Sequence, residues 1–197
     1  MNISKQVESV ALTIKNRNLS IKDLVDAHIA GNGIMGAGLF ELSQTISNHI
    51  LGEGLERFRK AQRIECAEAL YDILSGNAKD KAYISYIFPQ IKGRAGSRLQ
   101  KFYAVEYIEE AMDYLADPEL SANLITLCGA LMSIEGKTAE QLFGIDGAAR
   151  VKASMTLFSK AEHALQLVEK SVIFDSIIDK YFDGKYCELT NHIVSNY

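Results

Sequence analysis

Apolar residues recur at three- and four-residue steps along most of the chain, the period of an amphipathic helix. Ile3, Val7, Val10, Ala11 and Ile14 share one face, which Asn16 to Asn18 should end; Ser20 then caps a short helix with Leu24, Val25 and Ile29 inside. Ala30 to Gly38 breaks the pattern, a third helix is predicted over Leu39 to Leu51, and Gly52 and Gly54 frame a second break. The most regular segment runs from about Leu55 to Leu74. Its inward set is read as Leu55, Phe58, Ala61, Ile64 (or Ala67), Tyr71 and Leu74, with Glu56, Arg59, Lys60, Arg63 and Asp72 in water. Gly76-Asn77 supplies the stop.

The stretch from Tyr83 to Gln90 is apolar and aromatic and closes on Pro89, so a short helix is predicted to end before that proline. A loop with Lys92, Arg94, Arg98 and Lys101 follows, and Ser97 within it can cap the next helix, where backbone N–H groups offer a place for a phosphate. Val105 to Leu115 reads as a helix. Asp117-Pro118 opens another that buries Leu120, Leu124, Leu127, Cys128 and Leu131. Thr138 and Gln141 form a capping box for a turn ending at Gly144, and Asp146 caps the helix carrying Arg150, Ser154, Thr156 and Phe158. Val172, Phe174, Ile177, Ile178 and Tyr181 mark one more helix, ended by Gly184, and Leu189 to Val194 can add a terminal turn. The expectation is an all-α, compact multi-helix single domain over residues 55–190, with an N-terminal helical extension over 1–54 and a short tail over 191–197.

With 197 residues, 48% of them hydrophobic, the chain can bury a sizeable core. A net charge of -4 offers no broad attraction for nucleic acid or an anionic membrane, and no apolar run approaches the ~20 residues of a membrane span. Cys66, Cys128 and Cys187 lie far apart, odd in number and without C-x-x-C spacing, which suits a reducing cytoplasm and argues against a zinc site or disulfide framework. His28, His49, His163 and His192 show no metal spacing, so neither a metal nor another cofactor is expected. Gly31 to Gly36 matches the dinucleotide fingerprint formally, but a helix precedes it where a strand is required, and a helix connection is the better reading.

Several segments carry a family resemblance: Leu55-Glu56-Arg57-Phe58 with Ala61-Gln62, Ile87-Phe88-Pro89-Gln90, Ser97, Phe102-Tyr103-Ala104-Val105, Phe143-Gly144, Ser154-Met155-Thr156-Leu157-Phe158 and Lys180-Tyr181-Phe182-Asp183-Gly184. In order and spacing they resemble the bacterial family called domain of unknown function eighteen-ten, over about residues 55–190. The resemblance implies an all-α fold and no defined activity, the calpastatin label sometimes given to the family having no mechanism behind it. One departure stands out. Where the resemblance implies a His-Trp-Met-Trp pattern this chain has Ala82, Tyr83, Ile84 and Ser85, so any family chemistry that uses that imidazole is not expected to carry over.

Tyr83, Tyr86, Gln90, Tyr103, Ser154 and Thr156 are polar or aromatic residues in otherwise core-like segments. Buried polar groups need partners, so these either bond one another and the backbone to fix helix packing or line a pocket for a small anionic or nucleotide-like ligand. In the pocket reading Arg150 holds an anion, Tyr86 and Tyr103 stack on a ring, Gln90 reads a polar edge, and Ser154 shares Arg150's face one turn on, whereas Thr156 points elsewhere. Ser97 completes this set as a helix cap. Two other classes are weighed: an enzyme acting on an ADP-ribose-like or nucleotide-like compound, and an interaction module whose helices over 1–54 meet a partner or a second copy.

Overall fold

The structure, a computed structural model, describes residues 54–93, 96–165 and 172–196, all but Gly54 within the unit Leu55–Tyr197. The three helices and the glycine break expected before Gly52, together with Arg94, lie outside the described residues. Among the described residues eight helices follow one another: α1 (Glu56–Ser75), α2 (Ile84–Ile87), α3 (Arg98–Phe102), α4 (Ile108–Ala116), α5 (Pro118–Ser133), α6 (Ala139–Ala164), α7 (Ile173–Phe182) and α8 (Glu188–Ser195). Among the described residues there is no strand, only an isolated bridge between Ile91 and Val105. The protein is all-α. No helix among the described residues is long and apolar enough to cross a membrane.

Local chemistry explains most boundaries. At the end of α1, Gly76 takes a left-handed φ of 70° while its N–H bonds Ile73 and that of Asn77 bonds Asp72, a closure that glycine permits without strain. Pro89 stops α2, and Asp117 opens α5 by accepting from the N–H groups of Glu119 and Leu120 with Pro118 in the first turn. Thr138 and Gln141 cap each other as expected, and the backbone leaves helical geometry at Gly144 (φ 74°, ψ 168°), the expected break, beyond which the second part of α6 runs in a new direction. Asp146 is not the cap; its carboxylate pairs with Arg150 one turn on. Helix α4 starts at Ile108 rather than Val105. Val105 is held instead by Ile91, its N–H bonding Gln90 at 2.8 Å while its carbonyl accepts from Lys92 at 2.7 Å.

The core lies between α6 and the helices around it, with Phe158 meeting Tyr114 of α4 at 5.0 Å and Phe174 of α7 at 5.8 Å between ring centroids. Leu120, Leu124, Leu127, Cys128 and Leu131 are buried on α5, and Phe174, Ile177 and Ile178 on α7; Val172 is exposed. The register of α1 is the main correction. Phe58 and Ala61 point inward, but Ile64, Tyr71 and Leu74 are 79%, 72% and 53% exposed, whereas Asp72 is buried. The buried face is Arg57, Phe58, Ala61, Gln62, Ala69, Asp72 and Ile73, and polar members can occupy it because the neighbouring helices supply their partners.

Candidate functional site

Three segments of the chain meet along the inner face of α1. Gln62 is fully buried; its amide donates to the Tyr86 carbonyl at 2.8 Å and the Tyr114 hydroxyl at 2.6 Å, and its carbonyl accepts from Asn123 at 3.1 Å. One turn earlier, Arg57 donates to Glu110 at 2.6 Å and to the Ala104 carbonyl at 2.9 Å, its guanidinium 4.2 Å from the centre of the Phe58 ring. The Phe58 ring in turn lies 5.9 Å from that of Tyr103, which packs 4.7 Å from Tyr86. The Val105 bond to Gln90 fastens the same two segments through the backbone.

At this corner the half-buried Glu65 accepts a hydrogen bond from the Tyr86 hydroxyl. Burial, that bond and the Glu65 charge all hold the Tyr86 phenol well above its ordinary value. Tyr103, buried beside the same carboxylate, is pushed up to about 12 by burial first and Glu65 second, with Arg57 opposing. A second carboxylate repeats the arrangement two turns along α1: Asp72 accepts from Tyr83 at 3.0 Å and from Lys81 at 2.7 Å, and Lys81 also reaches Glu68 at 3.3 Å. The Lys81 bond holds Asp72 below the usual carboxylate range, while burial and Asp72 raise Tyr83.

The remaining expected residues are used elsewhere. Ser97 is exposed and occupied with Gln100 in the capping box of α3, a five-residue helix. Arg150 is committed to Asp146. Ser154 is fully buried, and its hydroxyl finds no hydrogen-bond partner among the described residues. Thr156 lies on the other side of α6, where its hydroxyl donates to the Lys152 carbonyl at 2.8 Å and accepts from the Cys187 N–H at 2.9 Å. So Tyr86 and Tyr103 come together, Gln90 is tied to the Tyr103 segment through its backbone carbonyl and Val105, Tyr83 stands at the neighbouring carboxylate, and Ser97 and Thr156 are engaged in other contacts. Ala82 is exposed.

The sequence model of a family described as a protein of unknown function, DUF1810, matches residues 52–194. The chain belongs to this family. A crystal structure of a conserved hypothetical protein from Mycobacterium tuberculosis is similar to it, with a TM-score of 0.65 and 28% identity over 72% of this chain and 96% of that one. No curated protein matches the chain.

The DUF1810 segments around Arg57, Tyr86 to Gln90 and Tyr103 to Val105 are thus the ones that knit together. Phe143 joins them by packing 6.0 Å from Phe88. Sequence reasoning missed Arg57, Gln62, Glu65 and Asp72 as members of this corner. Their signal was position alone: Phe58, Ala61, Glu65, Ala69, Asp72 and Ile73 recur at three- and four-residue steps, with polar residues in phase with the apolar ones.

Proposed function

We propose that the protein binds a small ring-bearing ligand of nucleoside type at the corner formed by Glu65, Tyr86, Gln90 and Tyr103. The observation that carries this reading is the convergence of three DUF1810 segments on a half-buried carboxylate set beside two packed tyrosines. Glu65 is the acceptor for a ribose diol or a ring amino group, the tyrosine rings form the apolar wall, and the half-buried Gln90, in the segment bonded to Val105, is the amide proposed to read a polar edge. A phosphate fits less well. The nearby arginine, Arg57, is already bonded to Glu110, Arg150 is paired with Asp146, and Glu65 and Glu68 give the corner a negative field.

A thermal-shift series with adenosine, guanosine, cytidine and uridine tests the reading. At least one nucleoside should raise the melting temperature of the wild type, and Glu65→Gln should lose that rise. The glutamine carbonyl can still accept from Tyr86, so the unliganded melting temperature should change little. No shift with any nucleoside, or a shift that survives Glu65→Gln, counts against the corner as a ligand site.

A further inference from the structure

Glu65 differs from the other carboxylates of α1 in what balances its charge. Glu56 pairs with Arg59 at 2.6 Å, and Glu68 and Asp72 share the Lys81 ammonium at 3.3 and 2.7 Å. Glu65 is half-buried, yet no cation lies within pairing distance of it among the described residues. Its Oε2 accepts from the Tyr86 phenol, which burial keeps neutral, and its Oε1 has no hydrogen-bond partner among the same residues. The basic groups around the corner are committed elsewhere. Arg57 bonds Glu110 at 2.6 Å and the Ala104 carbonyl at 2.9 Å, and Lys81 is held by its two carboxylates.

A carboxylate drawn partly out of water with only a neutral hydrogen-bond donor keeps an uncompensated charge, and supplying the opposite charge is worth more than a further neutral contact. We infer that this corner selects a nucleoside whose ring carries a positive charge, an N-alkylated pyridinium or purinium, over its neutral counterpart, with Glu65 as the counter-ion. The inference rests on the nucleoside reading of the corner and narrows it to one class of ring. A neutral base can give Glu65 a hydrogen bond but leaves the charge in place; a cationic ring beside Oε1 gives it the counter-charge that Lys81 gives Asp72. The aromatic side of the corner has the same preference. Tyr86 and Tyr103 pack 4.7 Å apart, and aromatic rings attract cations through their electron-rich faces, as Phe58, the neighbour of Tyr103, already does with the Arg57 guanidinium at 4.2 Å.

Calorimetric titration of the full chain with two matched pairs reads the preference directly: nicotinamide riboside, a pyridinium cation, against its reduced and uncharged form, and 1-methyladenosine, a cation at neutral pH, against adenosine. In at least one pair the cation should bind about tenfold or more tightly than its neutral partner. In Glu65→Gln, which keeps the acceptor for Tyr86 and loses the charge, that ratio should fall towards one, with the helical circular dichroism signal unchanged. Equal binding of cation and neutral partner in both pairs overturns the inference while leaving the nucleoside reading in place. A preference for the cation that survives Glu65→Gln also overturns it, since the charge is then balanced by another group. If none of the four compounds binds, the nucleoside reading fails and this inference falls with it.

Discussion

Polar side chains inside this protein divide into those with partners and those without, and the two kinds predict opposite responses to truncation. Gln62 bonds three groups from three helices. Gln62→Leu leaves the Tyr114 hydroxyl and the Tyr86 carbonyl without that amide, and a loss of about 1–3 kcal/mol is expected in urea unfolding. Ser154 has a buried hydroxyl with no partner among the described residues, so Ser154→Ala removes a desolvated group; stability should hold or rise by up to ~1 kcal/mol. A clear loss on Ser154→Ala would mean the hydroxyl is bonded after all. The tyrosines add a pH dependence. Tyr103 titrates near 10 when unfolded and at about 12 when folded, because the buried phenol is kept neutral. Its contribution is therefore complete below pH 10 and lost as pH climbs towards 12, with Tyr83 and Tyr86 acting in the same direction. Phenolate absorbance should rise late, together with unfolding, rather than at the ordinary tyrosine value.

Among elements, legibility followed locality. The caps at Ser97, Asp117 and Thr138 and the stops at Gly76 and Pro89 depend on neighbours a few residues away, so spacing alone located them. The register of α1 did not yield to the same reasoning, because the helix has two faces of similar apolar content and only the rest of the fold decides between them. The inner face is fixed by Tyr83, Tyr114 and Glu110, which come from later segments. The start of α4 was misplaced for a related reason: Val105 is drawn into a bridge with Ile91 across the loop. Gly144 offers a test of the kink it makes in α6. Its φ of 74° with ψ of 168° is a region that a side chain enters with difficulty, so Gly144→Ala should cost about 1–3 kcal/mol, read as a lower melting temperature with the helical signal kept. An unchanged melting temperature would show that the chain can straighten there at no cost.

For the whole molecule, the all-α class was legible from periodicity and the DUF1810 family from segments spread between residues 55 and 190, yet the place where those segments meet was not. Tyr86 and Tyr103 were in view, but the carboxylate beside them is on a helix face that had been assigned by its apolar residues. The separation of residues 1–54 from the family region is an expectation with its own measurement: limited proteolysis should cut near Gly52 and Gly54, or between Gly31 and Gly38, and leave a helical fragment beginning near residue 55. Cleavage first within 55–190 would make the first 54 residues an integral layer. The central claim, that Glu65 and its tyrosines form a nucleoside-type site, is tested most directly by calorimetric titration of adenosine and of AMP into the wild type and Glu65→Gln. The account predicts that adenosine binds at least as tightly as AMP to the wild type and that Glu65→Gln weakens adenosine by tenfold or more, about 1.4 kcal/mol. Binding of AMP without adenosine, or tighter adenosine binding after Glu65→Gln, would contradict it.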